Sequence, residues 1–448
     1  MSEPEQPAVF DARLSAEDLR DAWRLLDTVE RAEGFRLLDP TEGEEFFIEL
    51  TTSDQVSLLS SLSPAEQRFW LRALAPDDTA DFLQEIHPEL RAEMLAMLDE
   101  ASRREVRTLL AYAEDDAGGL MSTRYARVRP EMTVDEAILY LRKQANARLE
   151  TIYYGYVLDQ EQHLLGVVSL RQLFQAKGNA LVRDMMHTDL VQVPEEMDQE
   201  TVGRIFAQHD LVALPVIDAS GRMKGIVTVD DIVDVVQEEA TEDIQKIGGS
   251  EALDAPYLEV SALEMVKKRI GWLVILFTGE MLTVSALGSF DETIRQATIL
   301  PILMPLIISS GGNAGSQAST LVIRAMALGE ARLSDWWRVL RREIFTAAIL
   351  GIALGALGIL RIVLGDYLFP HELQEGIHVM DVALTVGLSV LAVVMWGAIT
   401  GSMLPILLRK LGFDPASASA PMVATLVDVT GVLIYFGMAS ALIFSTMN

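Results

Sequence analysis

Apolar residues are concentrated in the C-terminal part of the chain, where five long apolar stretches follow one another. They lie at about 270–289, 297–327, 344–364, 382–408 and 421–444. Each is long enough to cross the ~30 Å hydrocarbon core of a bilayer as a helix of roughly 20 residues. Five such stretches in succession favour membrane-spanning helices over the buried helices of a soluble core. We therefore predict an all-α transmembrane domain of five helices.

The segments that link these stretches alternate in charge. Basic residues precede the first and the last stretch, at Lys267, Lys268, Arg269, Arg409 and Lys410. The loop at 365–381 instead contains four acids and no Lys or Arg. Because basic links tend to stay in the cytosol, we predict a cytosolic N-terminal part and an external C-terminus in an inner or plasma membrane. The polar, acidic residues 1–14 show no apolar signal segment, which fits a cytosolic N-terminus.

The part of the chain before the apolar stretches is polar and strongly acidic. Residues 269–448 hold 10 Lys+Arg and 12 Asp+Glu, out of 36 and 65 in the whole chain, which leaves a net charge of −27 on residues 1–268. Nucleic-acid phosphates need Lys and Arg, so we expect no nucleic-acid partner. Acidity by itself is consistent either with solubility or with a surface that collects cations. The chain has no cysteine, which excludes disulfides and thiolate metal sites.

Two carboxylates fall inside apolar stretches, where a charge is costly and by default suggests a functional role. Asp428 follows Thr425 by about one helical turn, so both side chains are expected to share one face. Small residues such as Ala424 would let another helix approach this face closely. We interpret the face as part of an ion pathway, with a carboxylate bonded to neighbouring helices as the alternative. Glu280 could face the mouth of a pore or pair with a basic or backbone group in the bundle.

The second apolar stretch contains the run Ser309-Ser310-Gly311-Gly312-Asn313-Ala314-Gly315-Ser316-Gln317. Three glycines within five residues weaken a helix. Irregular backbone at membrane depth is tolerated only against protein or a water-filled cavity. We therefore expect freed carbonyl groups near Gly312, together with the side chains of Asn313 and Gln317, to offer oxygen ligands. Tight helix packing through the small residues is the alternative.

Oxygen ligands of this kind suit a hard cation. The apolar stretches contain no histidine and the chain contains no cysteine, which disfavours Zn²⁺ and Cu⁺. Mg²⁺ dehydrates reluctantly and often binds through one or two carboxylates while it keeps its waters. A single Asp per chain is too few for a complete protein cage. Two chains on a shared axis would place a pair of Asp428 side chains around a hydrated ion.

Residues 60–112 contain a pattern that repeats about every 12 residues. The units start near Ser63, Pro76, Pro88 and Asp99, each with a capping residue or a proline followed by acids and then by apolar residues at helical spacing. The pattern predicts a stack of short helices in an N-terminal domain.

Residues 121–240 contain an internal repeat of about 60 residues. The run Leu165-Gly166-Val167-Val168-Ser169 corresponds to Lys224-Gly225-Ile226-Val227-Thr228 in the second copy. Each copy is read as strand, helix, strand, turn, strand and helix, and the arrangement resembles a tandem pair of CBS domains. In those domains a Ser or Thr and an Asp three residues later can hold a nucleotide ribose. Thr228 and Asp231 match this pattern, whereas Gln172 replaces the Asp in the first copy, so ATP or another adenine nucleotide is a candidate regulator and a purely structural pair the alternative.

A dense run of acids follows the repeat and leads into the first apolar stretch. Like charges so close together repel each other, and cations between them would relieve the repulsion. We regard these acids as candidates for regulatory metal binding, with a solvated acidic helix as the alternative. The acids are Asp230, Asp231, Asp234, Glu238, Glu239, Glu242, Asp243, Glu251, Asp254 and Glu259.

These parts in this order resemble the MgtE family of magnesium transporters over nearly the whole chain. The resemblance rests on the CBS pair and on three motifs: Ala117-Gly118-Gly119-Leu120-Met121, the glycine-rich run at 311–317, and Pro421-x-x-Ala-Thr-x-x-Asp428-x-Thr-Gly431. It implies a homodimeric Mg²⁺ channel in which Asp428 binds hydrated Mg²⁺. It also implies that regulatory Mg²⁺ binds acids of the second CBS copy and the connector, and closes the pore when cytosolic Mg²⁺ is plentiful. The matching acids are Asp218, Asp230, Glu251 and Asp254.

The predicted architecture is a multidomain membrane protein. It comprises a cytosolic helical N-domain at 1–118, CBS domains at 119–181 and 182–242, an acidic connector with a plug helix at 243–268, and a five-helix transmembrane domain at 269–448. The predicted pore ligands are Asp428, Thr425, Ala424, Asn313 and Gly312. The predicted regulatory ligands are Asp218, Asp230, Asp231, Glu251, Asp254 and Glu259.

The predicted function is passive, gated uptake of Mg²⁺ by a protein that is not an enzyme. No Gly-x-x-x-x-Gly-Lys-Ser/Thr loop is present, so nothing indicates a pump driven by ATP. A negative interior provides roughly 4.6 kcal/mol per 100 mV for a divalent ion. One alternative is an exchanger or exporter of Mg²⁺, Co²⁺ or Mn²⁺. Another is a membrane-tethered nucleotide sensor without transport.

Overall fold

A computed structural model describes residues 14–145, 149–253, 257–258, 260–368 and 377–443. Its contacts divide the chain into two compact units, one that ends at Gln237 and one that begins at Glu238. We describe each unit by itself.

The first unit begins with eight short helices. The regularly spaced starts predicted for four of them are confirmed, because α5 to α8 begin at Pro64, Pro76, Pro88 and Glu100. Prolines at the first helical turn and capping residues such as Asp99 explain these starts, since both suit backbone N–H groups that lack helical partners. The bounds are α1 Ala16–Ala22, α2 Thr28–Arg36, α3 Pro40–Ile48, α4 Thr52–Ser60, α5 Pro64–Leu71, α6 Pro76–Glu85, α7 Pro88–Met97 and α8 Glu100–Leu109.

The remainder of the first unit is an α/β repeat, as the sequence predicts. Each copy has a three-stranded sheet whose first strand is parallel to the second, while the second is antiparallel to the third. The first copy follows α9 Ala117–Leu120 and contains β1 Tyr125–Val128, α10 Val134–Ala145, β2 Thr151–Leu158, β3 Leu164–Ser169 and α11 Leu170–Gln175. The second contains β4 Val193–Pro194, α12 Gln199–His209, β5 Ala213–Ile217, β6 Met223–Thr228 and α13 Val229–Ile247.

The glycine of the repeated motif lets the two copies pack closely. A side chain at Gly166 would lie 2.7 Å from the carbonyl oxygen of His187, and one at Gly225 would lie 2.6 Å from that of Ser122. Backbone bridges pass through these points, between Val167 and His187 and between Ser122 and Ile226. Glycine is therefore required at both positions, because any side chain there would collide with the backbone of the neighbouring segment.

One hydrophobic core joins the N-terminal helices to the second copy of the repeat. It contains Phe82 and Leu109 from the helices and Leu214 and Ile232 from the repeat. This shared core positions the first turn of α6 and the first turn of α13 within one compact unit.

Within its described residues, the second unit contains five helices that are long and apolar enough to cross a membrane. They correspond to the five stretches predicted from the sequence. Their bounds are α14 Ala262–Gly288, α16 Ile299–Ala327, α17 Trp336–Leu368, α18 Val379–Lys410 and α19 Ala420–Leu442, with the short α15 Asp291–Gln296 between the first two.

The prediction of irregular backbone in the second stretch is wrong, because α16 is continuous from Ile299 to Ala327. Its glycines serve close packing against α18 instead. A side chain at Gly397 would lie 2.2 Å from the carbonyl oxygen of Gly311, and one at Gly401 would lie 2.0 Å from that of Gly315. The carbonyl groups of this run therefore lie in a regular helix and are not freed as ligands.

The plug helix predicted for the connector at 243–268 is also not a separate element. The acids up to Asp243 lie in α13, which ends at Ile247. Gly249 then adopts a φ of +76°, a left-handed conformation that suits glycine and terminates the helix. None of the described residues at 248–261 is helical, and residues from Ala262 onward already belong to α14.

Candidate ion pathway and cation-sensing site

Helix α19 is held against α16 at both of its ends. At its start, the hydroxyl of Ser319 donates to the carbonyl oxygen of Ala418 at 2.8 Å, and that of Ser316 donates to Ala420 at 3.2 Å. Toward its end, the buried hydroxyl of Tyr435 donates to the carbonyl oxygen of Leu300 at 3.0 Å. These bonds fix the position of the helix that carries Asp428.

Asp428 lies on a face of α19 made of small and polar residues. Val423 and Val427 are buried in the bundle, whereas Ala424, Thr425 and Asp428 are half-buried in the single chain. This face therefore remains partly accessible when one chain is considered alone.

The structure brings two of the predicted pore residues together and leaves a third exposed. A side chain at Gly312 would lie 3.6 Å from Cβ of Ala424, so α16 and α19 are in close contact there. Asn313, the next residue of α16, is exposed in the single chain. The glycine therefore acts by allowing the helices to approach.

Glu280 lies against Asp428. Helix α14 packs on α19, and a side chain at Gly279 would lie 2.7 Å from Cγ2 of Thr425. The carboxyl groups of Glu280 and Asp428 lie next to each other. Of the two roles left open for Glu280, pairing with a basic group is not what the structure shows.

A second group of carboxylates lies in the first unit. Asp77 and Asp78 occupy the first turn of α6, Asp230 and Asp231 occupy the first turn of α13, and Glu150 directly precedes β2. We call these five residues the acidic cluster. Asp77 is 6% exposed, and its Oδ1 is buried without a hydrogen-bond partner among the described residues.

Burial and mutual repulsion destabilise the negative charges of the acidic cluster. Burial, and then the charge of Asp231, raises the pKa of Asp78 to about 6. Burial likewise raises the pKa of Asp231 to about 6, against a hydrogen bond from Thr228 that lowers it. The pKa values of Asp77 and Glu150 are also raised, by burial first and then by neighbouring carboxylates. The cluster carries negative charge that a bound cation would neutralise.

Three of the acidic cluster's members were missed in the sequence. The run Pro76-Asp77-Asp78 has the ordinary pattern of a helix start, because acids are favoured in the first turn by the helix dipole. Glu150 is an isolated acid before a strand. The adjacent acids after Pro76 were the one sequence signal that could have indicated the cluster. Acids in the first turn after a proline are common in helices, so this signal is weak.

Two of the other predicted regulatory residues, Asp218 in the first unit and Glu251 in the second, are described by the structure. Asp218 accepts bonds from the hydroxyl of Ser220 at 2.6 Å and from the backbone of Arg222, and it pairs with Lys224 at 3.4 Å. The hydroxyl of Ser220, first among these donors, lowers the pKa of Asp218. Glu251 is exposed, and a side chain at Gly271 would lie 3.9 Å from its Oε1. Asp254 and Glu259 lie outside the described residues.

The candidate nucleotide residues form a helix cap. The hydroxyl of Thr228 donates to Oδ2 of Asp231 at 2.6 Å at the start of α13. In the first copy, the hydroxyl of Ser169 makes the corresponding bond to Oε1 of Gln172 at 2.9 Å. The two turns are therefore built alike despite the different residue at the third position.

A five-helix apolar unit with two adjoining carboxylates in its helices, attached to an acidic α/β part, indicates a polytopic membrane protein that transports a cation. Comparisons with known families agree with this class. Residues 304–438 match a family described as a divalent cation transporter, MgtE, residues 14–115 match the MgtE intracellular N domain, and residues 117–179 and 182–238 match the CBS domain.

Several relatives carry the name magnesium transporter MgtE. The chain is 42% identical over 345 residues to the one from Thermus thermophilus, a match that covers 77% of this chain and 74% of the relative. It is 35% identical to the one from Enterococcus faecalis, over 75% of this chain and 71% of the relative. The chain belongs to the MgtE family, and it is a transporter rather than an enzyme.

The first unit is also similar to a solved structure. The crystal structure of the cytosolic domain of the Mg²⁺ channel MgtE in complex with ATP is 40% identical, with a TM-score of 0.47, over 49% of this chain and 90% of that chain.

Proposed function

We propose that this protein conducts Mg²⁺ into the cell and that Asp428 binds the hydrated ion in the pathway. The observation that carries the proposal is the position of Asp428, on a half-buried face of a membrane helix and in contact with a second carboxylate. An anionic pair inside a bilayer is stabilised by a cation. The names of the relatives support Mg²⁺ as that cation.

We propose a homodimer as the conducting form. One chain offers too few oxygen ligands for a complete cage, and Mg²⁺ commonly keeps several of its waters. Because Asn313 is exposed and Asp428 is only half-buried in a single chain, both are accessible to a second copy. Two copies would place two Asp428 carboxylates around one hydrated ion, with lipid around the remaining apolar surface.

The acidic cluster is proposed as a sensor of cytosolic Mg²⁺. At low Mg²⁺ its carboxylates repel one another, and bound Mg²⁺ would draw α6 and α13 together. Its raised pKa values support this proposal, because burial and the neighbouring carboxylates both destabilise the negative charges that a bound cation would stabilise. Binding at high Mg²⁺ would favour the closed state of the pore, which is a population shift driven by ligand.

A polar anchor connects α13 with the start of the pore helix. Near the end of α13, the ammonium group of Lys246 lies 2.7 Å from Oδ2 of Asp414 and 2.5 Å from Oε1 of Glu242. Asp414 caps the 3₁₀ turn that directly precedes α19, and Ile247 packs beside Ala416 of that turn. We propose that this anchor transmits the state of the sensor to the pore helix.

The orientation of the chain and its nucleotide remain proposals that rest on the sequence. The alternating charge of the links supports a cytosolic N-terminal part and an external C-terminus. Thr228 and Asp231 are the proposed contacts of ATP or another adenine nucleotide. An ATP titration that leaves the Mg²⁺ dependence of transport unchanged would remove the nucleotide from the scheme.

The test is Mg²⁺ flux in vesicles that contain only this protein and lipid. With an inside-negative potential and no Na⁺ or proton gradient, we expect Mg²⁺ uptake, whereas an exchanger would need a counter-gradient and a nucleotide sensor would show no flux. Asp428→Asn should reduce uptake at least ~100-fold, because the ion loses its charged ligand. A 100-fold reduction is equivalent to ~2.7 kcal/mol. Unchanged uptake by a folded Asp428→Asn variant would contradict the proposal.

A further inference from the structure

We infer that Glu280 is a selectivity-determining residue of the ion pathway, where it adds a second carboxylate next to Asp428 in each chain. The inference rests on the proposed role of Asp428 and extends it, because it assigns a charge on a different membrane helix to the same ion. The cation class that fits is a hydrated divalent ion.

Helix geometry places Glu280 at the depth of Asp428. Gly279, in the middle of the apolar stretch of α14, meets Thr425 near the start of α19. Farther along, the rings of Phe290 and Phe436 stack with centroids 5.4 Å apart. The order of these contacts shows that α14 and α19 run parallel, so the contact between Glu280 and Asp428 is part of a continuous packing interface.

Neither helix places a basic residue near this contact to neutralise its negative charge. Between residues 270 and 288, Glu280 is the only charged residue, and Asp428 is the only one in α19. The nearest basic residue along α14 is Arg269, about 16 Å away along the helix axis. Neither carboxylate takes part in an ion pair recorded among the described residues.

Two adjacent carboxylates attract a doubly charged ion more than a singly charged one, because the interaction energy scales with the product of the charges. Mg²⁺ that keeps its waters can interact with both groups through its hydration shell. Glu280 would therefore raise the occupancy of divalent ions and exclude Na⁺ and K⁺, while Asp428 remains the primary ligand.

A structural role for Glu280 makes a different prediction. If Glu280 only donates a hydrogen bond that orients Asp428, then glutamine can replace it, because its amide also donates. Glu280→Gln thus removes the charge and retains a donor of similar size. Glu280→Asp keeps the charge and shortens the side chain. It therefore shows whether the charge is sufficient when the length of the side chain changes.

The experiment measures ion uptake in vesicles as a function of Mg²⁺ concentration, with Na⁺ and K⁺ as competitors. For Glu280→Gln we expect the half-saturating Mg²⁺ concentration to rise about tenfold, equivalent to ~1.4 kcal/mol, and competition by Na⁺ and K⁺ to increase. Glu280→Asp should retain the preference for Mg²⁺. Glu264→Gln is the matched control, because Glu264 is an exposed acid in the first turn of the same helix.

The outcomes separate this inference from the proposed function. Unchanged half-saturation and selectivity in Glu280→Gln, with uptake abolished in Asp428→Asn, would overturn the role of Glu280 alone. Normal uptake in Asp428→Asn would overturn the proposed function itself. If Glu280→Gln does not fold, as judged by its elution profile in detergent, the Glu280→Asp variant decides, and loss of its Mg²⁺ preference would refute the inference.

Discussion

The acidic cluster predicts that removing one of its charges stabilises the sensor when Mg²⁺ is absent. The perturbation is Asp78→Asn, which keeps the size of the side chain at the first turn of α6. Asp78 is repelled by Asp231 and lies in a largely buried environment. Neutralising it should therefore lower the free energy of the native state at pH 7, which is unusual for a substitution at a conformationally ordered site.

The magnitude follows from the pKa. A carboxyl whose pKa rises from 3.8 to about 6 on folding costs up to ~3 kcal/mol at pH 7, since each pH unit corresponds to about 1.4 kcal/mol. This cost is absent below the unfolded pKa and appears as the pH rises through 3.8 to about 6, so native stability falls over that window. The costs of Asp78 and Asp231 are not additive, because protonation of one relieves the other. We expect a gain of ~1–3 kcal/mol for Asp78→Asn.

Hydrogen exchange of the full-length protein in detergent measures this local stability. In Mg²⁺-free buffer at pH 7, amides of α6 and of the first turns of α13 should exchange about 5- to 100-fold more slowly in Asp78→Asn than in the wild type. Added Mg²⁺ should slow exchange strongly in the wild type and less in the variant. Lowering the pH from 7 to 5 should also protect the wild-type segments.

A matched control is Glu89→Gln, which changes an exposed acid that follows Pro88 in the first turn of α7. Its exchange should be unchanged. Faster exchange of α6 in Asp78→Asn without Mg²⁺, or an undiminished response to Mg²⁺, would refute the reasoning that these carboxylates repel and share a cation.

Two further predictions concern the anchor and the helix packing. Lys246→Met removes the ion pair with Asp414, which is worth ~0.5–1 kcal/mol for a partly exposed pair. Inhibition of uptake in vesicles should then require a several-fold higher Mg²⁺ concentration on the sensor side. An unaltered inhibition curve would count against the anchor. Gly397→Ala should destabilise the bundle by more than ~1 kcal/mol, because the added methyl group collides with Gly311. The measurement is the unfolding temperature in detergent, which should fall. Gly437→Ala is the control and should match the wild type, because its added methyl group meets no atom within 4 Å.

Local signals account for the parts of the structure that the sequence predicted well. The five membrane helices depend only on long apolar runs, and the starts of α5 to α8 depend on prolines and capping residues at their own first turns. The repeat could be recognised because Gly166 and Gly225 meet the same packing requirement in both copies. Such features are set by neighbours in sequence or by recurrent backbone geometry.

The glycine-rich run shows where local reasoning failed. Three glycines lower the intrinsic helical preference of 311–315, yet α16 remains a helix there. A bilayer makes unpaired backbone groups costly, and close contact with Gly397 and Gly401 of α18 adds packing that outweighs the intrinsic preference. The prediction of a plug helix in the connector failed for a different reason. The left-handed conformation of Gly249 ends α13, although the run of acids continues beyond this point in the sequence.

The sequence by itself determined which residues form the membrane helices, where the repeated α/β part lies, and that Asp428 and Glu280 would be isolated charges in apolar surroundings. Only the tertiary structure decided that Glu280 lies against Asp428 and that Asp77, Asp78 and Glu150 join Asp231 in one cluster. The reason is physical: burial and repulsion between charges depend on distances in space. Folding brings together segments far apart in the chain, and no local pattern records that proximity.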